Sequence, residues 1–80
     1  MQRLNSASRK TVGAKQTQKA LEKGQVKVVY IARDAEDRVT SPLLHICEEK
    51  GIEVVFVDSM QELGNACGIK VGAALAAVLE

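Results

Sequence analysis

Three lysines at regular spacing are the first chemical feature of this sequence. Lys15, Lys19 and Lys23 stand at i, i+4 and i+8, which on a helix is one continuous stripe. Thr17, Ala20 and Leu21 share another face of the same segment at i, i+3, i+4, so an amphipathic helix is predicted over Gly13–Lys23. The start of such a helix presents unbonded N–H groups and the positive end of the helix dipole, both suited to a phosphate. Gly13 in front of it lets a ligand approach the backbone closely. Gln16, beside the stripe, can donate and accept hydrogen bonds at a base edge, and a lysine can reach guanine O6 and N7. One short element thus offers phosphate anchoring, charge and base readout. The residues alone do not separate RNA from DNA, and a lysine face can also be nothing more than a solvated one.

A second constellation lies in LGNACGIKVG, residues 63–72. Ile69 and Val71 flank Lys70 on a glycine-bounded loop. Apolar side chains exposed on a loop imply a partner. They can cover a nucleobase while Lys70 meets its phosphate, or they can tuck into the core instead.

Covalent chemistry finds little support. His45 is the single histidine and falls inside an apolar helical pattern, where a partly buried or merely exposed side chain is expected. A nucleophile–base pair with Cys47 is weak, because residues two apart on a helix point in different directions. Cys47 and Cys67 have no CxxC spacing, and with one histidine they make no structural metal set. They read as two buried thiols in a reducing cytosol, with a disulfide or redox pair as the alternative. Asp34, Glu36 and Asp37 share a loop and read as a solvated acidic turn. No GxGxxG or Walker loop occurs. Neither an enzyme nor a cofactor or metal is expected.

Composition narrows the partner. Residues 1–27 hold seven basic residues against Glu22 alone, a net +6, while residues 28–80 hold four basic and nine acidic, a net −5. Such asymmetry in a small chain implies a face turned toward a polyanion. One tyrosine, one phenylalanine and no tryptophan argue against base stacking on aromatic platforms. The N-terminal MQRLNSASRK, which includes Arg3, lacks the apolar core of a signal peptide. No apolar run approaches the roughly 20 residues of a membrane helix, so a cytoplasmic monomer with no membrane partner is expected.

Turn signals divide the 80 residues into alternating pieces within one domain, residues 1–80. After the lysine helix, Gly24 serves as its stop. VKVVYIA, Val26–Ala32, reads as a buried strand and Arg33–Val39 as a charged loop. Thr40-Ser41-Pro42 resembles a helix start, with a hydroxyl cap and proline at the first position; that helix runs to Lys50 before Gly51. IEVVFV, Ile52–Val57, is a second strand. Ser59-Met60-Gln61-Glu62 is a capping box opening a helix to about Cys67. The tail GAALAAVLE is ambiguous: its alanines favour helix, its brevity and place after a helix favour strand. The resulting α–β–α–β–α–β order predicts an α/β fold, a three-layer α/β/α sandwich around a central sheet.

Two of these segments together carry a family likeness. VGAKQTQKAL, followed about fifty residues later by LGNACGIKVGAA, resembles the kink-turn RNA-binding family of large-subunit ribosomal proteins, of the seven-Ae and thirty-e type. The likeness includes VVYIARDA and GIEVVFVDSM and is closest to the short bacterial members of the YbxF kind. It implies a mixed sheet with the tail as a strand. It also implies that the first basic helix enters the widened major groove beside tandem sheared G·A pairs. Gly13, Lys15, Gln16 and Lys19 then fall on the motif that reads guanines and adjacent phosphates, Lys23 on a backbone contact, and Ile69, Lys70 and Val71 on the loop over the protruding nucleotide. The RNA would be ribosomal, a riboswitch or another structured RNA. Lys15-Gln16 is similar to the thirty-e branch, where many archaeal members carry Asn-Glu. Two other readings remain: a protein-interaction adaptor of the same fold, and a small thiol enzyme using Cys47 or Cys67.

Overall fold

The β-branched run Val26–Ala32 forms the strand its composition predicts, and it is the spine of the molecule. A computed structural model describes residues 9–79; Arg3, the rest of the first eight residues and Glu80 lie outside them. The elements run β1 (Lys10–Val12), α1 (Ala14–Glu22), β2 (Val26–Ala32), α2 (Asp37–Lys50), β3 (Glu53–Val57), α3 (Met60–Cys67) and β4 (Leu75–Leu79). The four strands form one sheet in the order β1-β4-β2-β3. β2 pairs with β3 in parallel and with β4 antiparallel, and β1 pairs antiparallel with β4. The sheet is therefore mixed.

Its two faces carry separate cores. Ala20 and Leu21 of α1 and Leu43 and Cys47 of α2 pack with Val29, Ile31, Leu75 and Ala77 on one face. Leu63 and Cys67 of α3 pack with Val28, Tyr30, Ala32, Ala76 and Val78 on the other. This is the predicted three-layer sandwich. It explains why β2 reads as a near-continuous apolar run: a strand covered on both faces has no polar side to show. A register shift between Val26 and Val28 opposite β4 puts Val26 on the same core as Val29 and Ile31, out of strict alternation.

Two expectations about elements are corrected, while the tail forms strand β4, as the family resemblance implies, although Ala76 and Ala77 are poor strand formers. Both are fully buried between β1 and β2, where small side chains let helices close on either face, and tertiary packing outweighs propensity. A strand that the element pattern lacked, β1, precedes the lysine helix; at three residues it is too short to show a period.

The second helix starts at Asp37 rather than at Pro42, which shortens the charged loop to the turn before Glu36. Glu36 is its N-cap, and Pro42 lies inside it. The Thr40 hydroxyl bonds back to the Glu36 carbonyl at 3.5 Å instead of capping forward. Pro42 is the sixth residue of this helix, so it removes an interior N–H that would otherwise bond the Arg38 carbonyl. One half of the predicted capping box forms: the Ser59 hydroxyl accepts from Glu62 N–H at 3.1 Å. Gly68 closes α3 in the left-handed conformation.

Candidate nucleic-acid interface

The positively charged helix is held to the sheet by its buried face. Thr17, Ala20 and Leu21 are buried, while Lys15, Gln16, Lys19 and Lys23 are exposed. A buried hydrogen bond between the hydroxyls of Thr11 and Thr17, 2.9 Å, ties α1 to β1 and fixes the rotation of the lysine stripe. Glu22, the single acid of this helix, is bonded by Gln18 at 3.4 Å.

Gly13 sits at the N-cap with φ 93° and ψ 160°, a region essentially reserved for glycine. Its own N–H is spent on the Leu75 carbonyl at 2.8 Å. No side chain caps α1, and no acidic residue occupies its first turn, whereas α2 has Asp37 and α3 has Glu62 there. The dipole at the α1 start is thus uncompensated by protein charge. Gln16 reaches back so that its side-chain oxygen accepts from Val12 N–H at 3.4 Å. That leaves its NH₂ as the group to offer outward, matched to acceptors such as guanine O6 and N7.

The second constellation divides. Ile69 is half-buried and packs against the α3-side core, while Lys70 is exposed and Val71 is 70% exposed. The two apolar residues are therefore not equivalent: Ile69 anchors the loop and Val71 is presented to solvent. The loop backbone lies directly on α3. A Cβ on Gly64 would collide with the Val71 carbonyl, and one on Gly72 would lie 3.1 Å from Met60 Cβ. Ile69 N–H donates to Gly64 O and Ala73 N–H to Met60 O, both at 3.0 Å.

Sheet topology brings the start of α1 and this loop to one end. β1 ends at Val12 opposite Ala76, and β4 begins at Leu75, so Gly13 and the loop leading into β4 flank the same strand terminus. Lys23 does not join them. Eight residues beyond Lys15, it lies roughly 12 Å along the helix, past the last helical residue. With Gln16 and Lys19 it lines an open groove of about 220 Å³ between α1 and the sheet edge, floored by Thr11, Ala20 and Leu79. A larger hollow of about 490 Å³, lined by Lys27, Lys50 and Glu53 among others, sits at the opposite sheet end, where β2 and β3 begin. None of the candidate RNA-binding residues lines it.

The remaining candidates fall outside this cluster. His45 is exposed. Cys47 and Cys67 are buried and free; burial pushes both thiols up, with Glu48 adding to it at Cys47 and Lys10 opposing it at Cys67. That is the reverse of an activated thiolate. Among the described residues no cluster of His, Cys, Asp or Glu could hold a metal ion, and no helix is long and apolar enough to cross a membrane.

Comparison with known proteins places this architecture. Residues 1–80 match the sequence pattern of the ribosomal protein L7Ae/L30e/S12e/Gadd45 family over their whole length. The chain belongs to this family. Within the L7Ae family it is 55% identical over 69 residues to the RNA-binding protein TTE2299 of Caldanaerobacter subterraneus subsp. tengcongensis, covering 86% of this chain and 84% of that one. It is 46% identical over 68 residues to the large ribosomal subunit protein eL8 of Halobacterium salinarum, covering 84% of this chain but 57% of that one. Among solved structures, the Giardia lamblia 15.5kD RNA binding protein superposes with a TM-score of 0.87 at 31% identity, covering 96% of this chain and 65% of that one. The chain thus spans most of its bacterial relative and less than two thirds of the two longer members.

Asp34 went unnoticed as a structural residue. Its carboxylate accepts from Met60 N–H at 2.8 Å across 26 residues of sequence. Nothing in the local pattern signals such a bond, since aspartate in a charged turn is ordinarily solvated.

Proposed function

We propose that the chain binds RNA, and that within RNA it selects the kink-turn, a sharp bend beside tandem sheared G·A pairs. The observation that carries this reading is the hydrogen bond from Gly13 N–H to the Leu75 carbonyl, which sets the uncapped start of a lysine-bearing helix next to the loop presenting Val71. A straight A-form duplex has a major groove too narrow for side chains. A bend that widens it admits the helix start, and the same bend expels a nucleotide for the loop to cover.

In this mechanism Gly13 and the first-turn N–H groups meet a phosphate, Lys15, Gln16 and Lys19 meet guanine edges and neighbouring phosphates, and Lys23 meets the backbone further along. Val71 covers the protruding base, Lys70 its phosphate, and Ile69 holds the loop in place. Aliphatic cover is apt because neither aromatic residue belongs to this loop: Tyr30 is buried, and Phe56, though half-exposed, stands on the edge strand β3 beside Arg33. Binding the bent form better than the extended one shifts the RNA toward the bend, and no covalent step is needed. The relatives named RNA-binding and ribosomal proteins support a role on ribosomal or other structured RNA; in this reading the chain is a single-domain monomer working in the bacterial cytoplasm.

A gel-shift titration tests the reading. A kink-turn RNA should bind well below the concentration needed for a control in which the G·A pairs are replaced by Watson–Crick pairs. Equal binding to both would leave the lysine stripe as a general polyanion surface, and no binding to either would favour the adaptor reading.

A further inference from the structure

We infer that Asp34 is a positioning residue for the Val71 loop, and through it sets how strongly the protruding nucleotide is recognised. The inference rests on the kink-turn reading and adds a residue that touches no RNA.

The argument begins with where Asp34 is fixed. It follows β2 in a short turn whose backbone is pinned to the sheet on both sides. Ala32 N–H donates to the Ala74 carbonyl at 3.0 Å, Arg33 N–H to the Val57 carbonyl at 2.8 Å, and Ala35 N–H closes back on Ala32 at 3.2 Å. From this rigid base the Asp34 carboxylate takes the N–H of Met60, the first residue of α3. Ser59 caps the third N–H of the same turn. Two unsatisfied donors of the helix start are thus bonded, one from its own flank and one from a distant turn.

α3 in turn carries the loop. Met60 O accepts from Ala73 N–H, Gly64 O accepts from Ile69 N–H, and Gly64 abuts the Val71 carbonyl so closely that no side chain fits between them. Residues 69–73 therefore follow α3 as a body. Met60 is where the two sets of bonds meet: its N–H is held by Asp34 and its carbonyl holds the loop. Without the Asp34 bond, the first turn of α3 loses its direct tie to the end of β2, keeping its packing, its short link from β3 and its bond to Ala73, and the loop that rests on it inherits the slack. A displacement of about 1 Å is enough to weaken a positioned contact.

The test uses the intact chain and three RNAs: a kink-turn, the same RNA with an abasic site at the protruding nucleotide, and the G·A-disrupted control. Wild type should lose about fivefold in affinity on removal of the base, the low end of what stacking one base on an aromatic side chain is worth and so an upper guide for aliphatic cover. In Asp34→Ala that ratio should fall to about one while the dependence of affinity on salt is retained. Asp34→Asn keeps an acceptor oxygen but not the charge, and should keep the wild-type ratio. Should Asp34→Ala fold poorly, the same bond is removed from its donor side by Met60→Pro, since proline is well accepted at a first helical position; Met60→Ala is its control, losing the side chain but keeping the N–H. Loss of the ratio in Met60→Pro but not in Met60→Ala is the expected result. A ratio unchanged in Asp34→Ala or in Met60→Pro overturns the inference, as does its loss in Asp34→Asn, which would assign the effect to charge. If wild type itself shows no abasic penalty, the loop assignment fails and the inference with it. If wild type also ignores the G·A disruption, it is the kink-turn reading that has failed.

Discussion

Gly13 N–H donates to the carbonyl of Leu75 at 2.8 Å, joining the entry of the first helix to the entry of the last strand. Residues 62 positions apart are so made neighbours, and everything proposed to touch RNA at the helix start is referenced to β4 through this bond. The bond requires Gly13 at φ 93°, ψ 160°, where a Cβ would meet no neighbouring atom within 4 Å. The obstacle to substitution is therefore backbone strain rather than space. Gly13→Ala should lower unfolding free energy by about 1–3 kcal/mol, read as a lower urea midpoint, and should weaken binding to kink-turn RNA. An unchanged midpoint would show that the helix entry relaxes without penalty.

The lysines should separate by function. Lys15→Ala and Gln16→Ala, at the helix start, should reduce the preference for kink-turn over G·A-disrupted RNA. Lys23→Ala should lower affinity for both RNAs and flatten the plot of log affinity against log salt by about one unit. Full retention of affinity and preference in Lys15→Ala would remove that residue from the site.

Gly64 should be intolerant of any side chain. An added Cβ would run into the Val71 carbonyl, a backbone atom that cannot rotate away, so the loop must lift from α3. Gly64→Ala should cost about 1–3 kcal/mol in stability and reduce RNA affinity beyond what the stability loss explains. Gly72→Ala faces the Met60 side chain and backbone at 3.1 Å and beyond and should cost less. Thermal melts of the two variants provide the comparison.

The thiols predict a pH dependence. Burial raises Cys47 and Cys67 above their ordinary value of 9.0, so the folded state favours the protonated form more than the unfolded state does. Their contribution to stability is fully present below about pH 9 and is lost as pH rises through the folded values. Urea midpoints should decline above about pH 9. Alkylation by iodoacetamide at neutral pH should be much slower than for a free cysteine and accelerate on unfolding; rapid labelling of the folded chain would revive a thiol function.

How far the sequence reached is best judged element by element. Strand β2 was legible because a β-branched run buried on both sides is almost wholly apolar, and β3 because IEVVFV is a second such run, although this edge strand is only partly buried. Helices α1 and α3 were legible from a buried stripe in one and a capping box in the other. The lysine stripe was legible because helical spacing alone puts Lys15, Lys19 and Lys23 in line. The family likeness supplied what periodicity could not, the tail as a strand.

Other features depended on contacts between distant parts of the chain. Thr40-Ser41-Pro42 carries a local helix-start signal, but Glu36 provides the cap and the helix begins earlier. β1 exists because β4 offers it an edge. Ile69 and Val71 look alike in sequence, and only the packing of the loop on Gly64 buries one and presents the other. Asp34 looks like a solvated acid until the sheet brings Met60 N–H within reach. The amino-acid sequence determined the periodic faces and the charge they carry, because these follow from neighbours three or four residues away. The tertiary structure decided which faces meet, because hydrogen bonds such as Gly13 to Leu75 and Asp34 to Met60 join residues whose separation in sequence leaves no local trace.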